Sequence, residues 1–153
     1  MSHFARDLRP ARYAREGAAT LALRWAAVAL AVGLLVHTVD HLRRGLDAVT
    51  TEVFWAGNVS TVLALVAITL VFASHRRAAQ LAVVVGVSQA LGVAAVHLLP
   101  AWGVLSDSLR DGGVDAVSWV AVLAEIAGAA AFGVAGLFVL TQPRTVRGTR
   151  RAE

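Results

Sequence analysis

The sequence predicts an all-α integral membrane protein, an antiparallel bundle of four transmembrane helices with both termini in the cytoplasm. Apolar residues make up 58% of the 153 residues and charged residues only 16%. A soluble domain of this size cannot bury so much hydrocarbon. The apolar residues collect in four runs, each near the roughly 20 residues of helix that cross a bilayer. All arginines except Arg24 lie outside these runs, in the tails and the connecting segments, which is the pattern of membrane topology.

The first two predicted spans cover residues 21–39 and 53–74. The first span carries Arg24 near its start, and no small-residue cleavage pattern follows its apolar end. We therefore expect an uncleaved helix there and not a signal peptide. The second span contains no charged residue, and Asn58, Thr61, Leu65 and Thr69 share one helical face that is expected to point into the bundle.

The last two predicted spans cover residues 78–99 and 116–141. Pro100 directly follows the third span and stops its helix, because proline lacks the backbone N–H that a helix interior needs. Only three residues separate the second span from the third, so these two helices are expected to form a tight hairpin. The fourth span contains one ionisable residue, Glu125.

The distribution of arginine predicts the orientation. Cationic loops resist translocation, so the arginine-rich side of the spans is expected to be cytoplasmic. Ten arginines fall on that side: Arg6, Arg9, Arg12, Arg15, Arg76, Arg77, Arg144, Arg147, Arg150 and Arg151. Three fall on the other side: Arg43, Arg44 and Arg110. Residues 1–153 are read as one membrane domain with basic cytoplasmic tails at 1–20 and 142–153.

Composition also narrows the location and the partners. Every basic residue is arginine, and alanine, valine, leucine and glycine are abundant, as in proteins from GC-rich bacterial genomes. We therefore expect the plasma membrane of a bacterium. The net charge of +4 is spread between apolar runs, whereas a nucleic-acid-binding protein gathers its cations on one face. The lipid bilayer is thus the expected partner, and nucleic acid is not.

Polar residues are predicted to converge at the outer side of the bundle. His37, Asp40 and His41 lie at the outer end of the first span, and His97 lies at the outer end of the third. His37 and His41 are one helical turn apart and share a face. His97 shares its face with Gly86 and small residues that allow close helix packing, so it is expected to point into the bundle.

Glu125 is expected near the middle of the membrane. It lies about nine residues inside the fourth span, which at 1.5 Å per residue is on the order of 13 Å below the outer boundary. Such a residue costs several kcal/mol when unpaired, and it usually faces the bundle interior and marks a pathway or a site. Protonation, a hydrogen bond from Gln89 or a shared cation could each satisfy it.

These residues define the candidate site. Two histidines at positions i and i+4, with a third ligand from another helix, can form an open zinc or copper site. The candidate metal ligands are His37, Asp40, His41, His97 and Glu125, with Asp40 able to act instead by orienting a ring nitrogen. His37 and His97 could alternatively be the two axial ligands of a b-type haem. The sequence contains no cysteine, so thiolate sites are excluded.

Two other functions stay open. The protein could be a structural or accessory subunit that assembles into a homo-oligomer or a larger membrane complex through small-residue faces such as Ala124-xxx-Gly128 and Ala129-xxx-Gly133. It could also be a proton-coupled transporter or an intramembrane enzyme that uses Glu125. No nucleophile motif, phosphate-binding loop or paired-carboxylate motif supports hydrolysis or phosphoryl transfer, which makes an enzyme the less favoured interpretation.

Overall fold

The computed structural model describes the backbone of residues 4–45, 49–111 and 113–142, and side chains from residue 17 onwards. These residues form four α-helices and no strand. The helices are α1 (Phe4–Arg44), α2 (Thr51–Phe72), α3 (Ala78–Leu98) and α4 (Ala116–Thr141). Each contains a stretch long and apolar enough to cross a membrane. The prediction of an all-helical, multi-pass membrane protein is therefore confirmed.

The first helix is longer than its predicted span. α1 begins at Phe4, so the segment 4–20 that the sequence assigned to a tail is helical and continuous with the part that can cross a membrane, Gly17–Arg44. Alanine and arginine, which dominate this segment, are strong helix formers. Residues 1–3 and 143–153 lie outside the described residues, as do the side chains of eight arginines used for the orientation: Arg6, Arg9, Arg12, Arg15, Arg144, Arg147, Arg150 and Arg151.

Side-chain caps fix the N-terminal ends of two helices. The Thr50 hydroxyl accepts a hydrogen bond from the backbone N–H of Val53 at the start of α2. The Asp115 carboxylate accepts from the backbone N–H groups of Val117 and Ser118 at the start of α4. Both caps satisfy donors that have no partner within the helix. α3 ends at Leu98, just before Pro100, as the proline predicts.

Helix α4 lies between α1 and α3 and packs closely against both. Glycines make this possible. A Cβ atom added to Gly128 would lie 2.8 Å from the carbonyl oxygen of Ala29 in α1, and one added to Gly86 would lie 2.5 Å from the backbone nitrogen of Gly133 in α4. Close backbone approach of this kind stabilises helix pairs in lipid, where the hydrophobic effect does not hold helices together.

All four helices contribute to one buried apolar cluster, in which Phe132 and Leu30 are fully buried. The outer surface of the helices is apolar as well. Trp25 is 66% exposed, Leu91 66% and Val134 67%. Exposed hydrocarbon on this scale is expected where the surrounding solvent is lipid.

One predicted helix face is wrong. The sequence indicated that Asn58, Thr61, Leu65 and Thr69 line the inner face of the second span, but Asn58, Leu65 and Thr69 are exposed, and Thr61 is only half-buried. The Asn58 amide donates to the carbonyl of Phe54, and the Thr69 hydroxyl to that of Leu65. These polar groups are satisfied within their own helix and do not need the bundle interior. The buried face of α2 is instead Val53, Ala64, Ala67, Ile68 and Val71.

Replacing Gly86 with alanine is expected to destabilise the bundle, because the new Cβ would meet backbone atoms of α4 at 2.5 and 2.7 Å. Overpacking of this kind costs about 1–3 kcal/mol. Gly92→Ala in the same helix is the matched control, since no atom lies within 4 Å of its added Cβ. Unfolding of both variants in lipid nanodiscs measures the difference. Equal stability of the two would contradict the close contact between α3 and α4.

Candidate metal centre

Three histidine side chains meet between α1 and α3. One potential ligand atom from each of His37, His41 and His97 lies within 4.8 Å of the other two. The His37 ring stacks on the His41 ring with centroids 4.6 Å apart, and it meets the His97 ring edge-on at 4.8 Å. His37 is 6% exposed and His97 3%. Helical spacing thus places two rings on α1, and the end of α3 brings the third to the same level.

The hydrogen bonds of two histidines determine which ring nitrogen carries the proton. His97 Nδ1 lies 2.9 Å from the backbone carbonyl oxygen of Asp107. A carbonyl can only accept, so His97 donates from Nδ1 and keeps its Nε2 lone pair. His37 Nδ1 contacts the Glu125 carboxylate, which also accepts. His37 and His97 are therefore both held in the tautomer that leaves Nε2 able to bind a metal ion.

Two nitrogens of this histidine cluster (His37, His41 and His97) are buried without a partner. His37 Nε2 and His41 Nδ1 are inaccessible to solvent and form no hydrogen bond with the described residues. A buried polar atom without a partner costs free energy comparable to a lost hydrogen bond. The two atoms belong to rings stacked on each other, so a single bound ion could satisfy both.

Glu125 connects the histidine cluster to all four helices. Its carboxylate accepts hydrogen bonds from His37 of α1 and from the Gln89 amide of α3. The Gln89 carbonyl oxygen accepts in turn from the Ser60 hydroxyl of α2. Both groups that contact the carboxylate, from His37 and Gln89, donate to it, and Ser60 in turn donates to Gln89. Such an arrangement favours an ionised Glu125, because an anion accepts hydrogen bonds from several donors at once.

The loop between α3 and α4 covers the cluster from outside. Arg44 at the end of α1 binds Asp107 through two hydrogen bonds, of 3.0 and 2.8 Å. Asp107 donates its backbone N–H to the carbonyl of Val96, and Leu109 donates to that of His97. These bonds satisfy the last carbonyls of α3 and keep the Asp107 oxygen against His97.

A second ion-pair group lies beside the cluster on α1 and α4. Arg43 donates to Asp40 at 2.8 Å and to Asp115 at 2.8 Å. Its guanidinium lowers the pKa of the Asp115 carboxyl below its ordinary value, and the N–H of Ser118 adds to this effect. Asp40 Oδ1 accepts both bonds from Arg43, whereas Oδ2 is buried and has no hydrogen-bond partner in the part of the chain that the structure describes.

The structure brings together most of the residues that the sequence singled out. His37, His41 and His97 form the converging group, to which Asp40 and Glu125 do not belong. Glu125 touches the group through His37 Nδ1, and Gln89, considered from sequence as its hydrogen-bond donor, bonds to it. Sequence reasoning missed Ser60 and Asp107. Ser60 had a weak signal as a hydroxyl within an apolar run, but the contact of Asp107 depends on the path of its loop.

The cluster borders a cavity of about 490 Å³ that lies between the C-terminal halves of α1 and α3 and the N-terminal half of α2. Its volume falls within the range of small-molecule sites, roughly 300–1,000 Å³. Comparison with protein-family models, with curated proteins and with solved structures gave no match to this chain.

Proposed function

We propose that the protein binds one divalent transition metal ion, zinc or copper, through His37, His41 and His97. The observation that carries this proposal is the convergence of three imidazoles within 4.8 Å, with His37 Nε2 and His41 Nδ1 buried and unpaired. Zinc holds its nitrogen ligands at about 2.0–2.1 Å, so a tetrahedral site needs roughly 3.3 Å between them. Small rotations of the three rings close the remaining distance.

Three imidazoles define the chemistry that the ion would have. Imidazole suits zinc and copper, whereas magnesium and calcium prefer oxygen ligands. A zinc site with three protein ligands keeps a fourth position open for water or another ligand, as catalytic sites do and closed structural sites do not. The centre is therefore suited to binding or activating a ligand at this open position.

Glu125 is proposed to orient His37 and to balance the charge of the ion, and not to ligate it directly. A carboxylate on the far nitrogen of a ligating histidine fixes the ring and raises its basicity. Glu125 is 4% exposed, and its contacts to Gln89 and His37 are both hydrogen bonds. A cation bound to His37 would offset this buried negative charge in the membrane.

A b-type haem fits the same residues less well. Its iron would have to sit between His37 and His97, with the porphyrin plane separating the two rings. The two rings are instead in edge contact, with centroids 4.8 Å apart, which leaves no layer for a porphyrin. A single small ion needs no such separation.

An accessory role through small-residue faces has less support as well. Gly86, Gly128 and Gly133 make close contacts inside this chain, with α4, α1 and α3 respectively. They are not free to form the same contacts with a partner helix. Assembly into a homo-oligomer would use other faces. A transporter or enzyme that depends on Glu125 alone would leave the convergence of the histidines without a role.

The centre is proposed to lie in the outer half of an antiparallel bundle in a bacterial plasma membrane, with both termini in the cytoplasm. Opposite helix directions are supported by two contacts between α1 and α4: Gly33 lies against Glu125, whereas Gly128 lies against Ala29. Arg76 and Arg77, between α2 and α3, support the cytoplasmic assignment of that loop.

Cysteine labelling tests this orientation cleanly because the chain contains no cysteine. Arg110→Cys should react with a membrane-impermeant maleimide in intact cells. Arg76→Cys should react only after permeabilisation. Both positions are exposed, so accessibility within the protein is matched. The reverse labelling pattern would place the histidine cluster on the cytoplasmic side.

The purified protein is expected to bind about one zinc or copper ion per chain, because three imidazoles supply one open site. His37→Ala, His41→Ala and His97→Ala should each lower the metal content and the affinity. His75→Ala is the control, since this histidine is exposed in the α2–α3 loop and its ring Nδ1 accepts a hydrogen bond from the backbone N–H of Arg77. Elemental analysis and titration calorimetry measure both quantities. Metal binding that survives all three cluster variants would refute the proposed site.

Glu125→Gln is expected to weaken metal binding about 10–100-fold without abolishing it, which is the usual cost of losing a partner of a ligating histidine. The change keeps the size of the side chain and removes its charge. Glu52→Gln is the matched control, an exposed acidic residue in the first turn of α2. Competition with a chromophoric chelator measures the affinities. Complete loss of metal in Glu125→Gln with the fold intact would indicate direct ligation.

A further inference from the structure

The cavity beside the histidine cluster has a largely apolar wall. Its apolar lining comes from α1, the α1–α2 loop, α2, α3 and the α3–α4 loop: Leu42, Val49, Val53, Phe54, Val93, Val96 and Leu105. Among the residues that the structure describes, Glu125 is the only one of the lining with a formal charge, and Asn58, Ser60 and Gln89 are among the neutral polar members. The cavity thus combines a hydrocarbon wall with one polar region around the histidines.

The packing of α2 explains why this space exists. The inner half of α2 is buried through Ala64, Ala67 and Ile68, whereas residues 54–59 in its outer half are all exposed. Gly57 of α2 and Gly92 of α3 line this part of the cavity, and neither has an atom within 4 Å of an added Cβ. The outer half of α2 therefore stands away from α1 and α3, and the cavity fills the gap.

The position of the cavity favours entry of a ligand from lipid. Thr38 and Leu42 of α1 line the cavity and are themselves exposed, Leu42 by 61%. Both belong to the part of α1 that can cross a membrane. A molecule with a hydrocarbon body can therefore pass from the bilayer into the cavity without crossing water.

We infer that the cavity binds a long-chain carboxylate, a fatty acid, whose head takes the fourth position on the metal ion and whose chain lies along the apolar wall. This inference rests on the proposed metal site. A divalent ion beside the Glu125 carboxylate has a net charge of +1, which one further carboxylate neutralises. The other charged groups that the structure describes near the cluster are already paired, since Arg44 binds Asp107 and Arg43 binds Asp40 and Asp115.

The same charges make fatty-acid binding depend on the metal. Without the ion, an incoming carboxylate would face the lone pairs of the histidines and the negative Glu125 in a medium of low dielectric, where like charges repel strongly. With the ion, the head gains a ligand bond and the chain buries hydrocarbon in the cavity. The fatty acid is therefore expected to bind only when the ion is present.

The test uses full-length protein in phosphatidylcholine nanodiscs loaded with cobalt(II), whose visible absorption reports on its ligands. Oleate should change the cobalt spectrum with saturable binding. Methyl oleate should leave it unchanged because it has no free carboxylate. Acetate should produce the same change only at much higher concentration, since it has the head but no chain. Metal-free protein should bind radiolabelled oleate no better than empty nanodiscs do.

Two variants separate the cavity from the metal centre. Gly92→Leu and Gly57→Leu add bulk to the cavity lining at positions with open space. Both should bind cobalt as the wild type does, and both should raise the apparent dissociation constant for oleate by at least about tenfold, a change well resolved by titration. Gly17→Leu is the control, because Gly17 is also exposed with no atom near an added Cβ, but it does not line the cavity.

Each outcome has a definite meaning. Cobalt binding without any response to oleate, or an equal response to methyl oleate, overturns the fatty-acid inference and leaves the metal site intact. An oleate response that the two leucine variants do not weaken places the fatty acid outside this cavity and also overturns the inference. Failure of the wild-type protein to bind cobalt, zinc or copper overturns the metal site and this inference together.

Discussion

A carboxylate buried within membrane-spanning helices is the constraint on which the site depends. Glu125 is 4% exposed, and an unsatisfied charge in hydrocarbon is too costly to tolerate. The chain satisfies it with donors from α1 and α3, and Ser60 of α2 supports the second donor. One residue from each helix therefore belongs to a single network. The relative positions of α1, α3 and α4 follow from the need to keep these donors on the carboxylate.

The network fixes more than helix positions. Since Glu125 holds His37 by Nδ1, and the Asp107 carbonyl holds His97 by Nδ1, both rings are already oriented as the proposed metal site would need them. Preorganised ligands lose little conformational freedom on binding, which is how a small site gains affinity. The ion pair of Arg44 with Asp107 has the same effect, because it keeps the loop that carries the Asp107 carbonyl in place.

Much of this arrangement is predictable from sequence, and the exceptions have physical causes. Hydropathy defines four spans, and helical periodicity correctly places His37, His97 and Glu125 on inward faces, because apolar and small residues repeat with the same period on those helices. It fails for α2. Nearly every residue of that helix is apolar or can bond to its own backbone, as Asn58 does, so polarity does not indicate the buried face. The contact between Asp107 and His97 depends on a loop path that periodicity does not encode.

The weak packing of α2 follows from the same distribution of polar groups. The proposed metal ligands and their direct partners lie on α1, α3, α4 and the α3–α4 loop, and α2 reaches the network through Ser60, which bonds to Gln89 and not to Glu125 itself. Displacing the N-terminal half of α2 would break the bond between Ser60 and Gln89 and leave the bond between Glu125 and His37 in place. The histidines and Glu125 are thus held by α1, α3 and α4, whereas α2 contributes more residues to the cavity wall than any other helix. This separation suits the proposed site, which would have to keep its ion and still admit a ligand from lipid, because the helix that would yield to the ligand carries none of the three histidines.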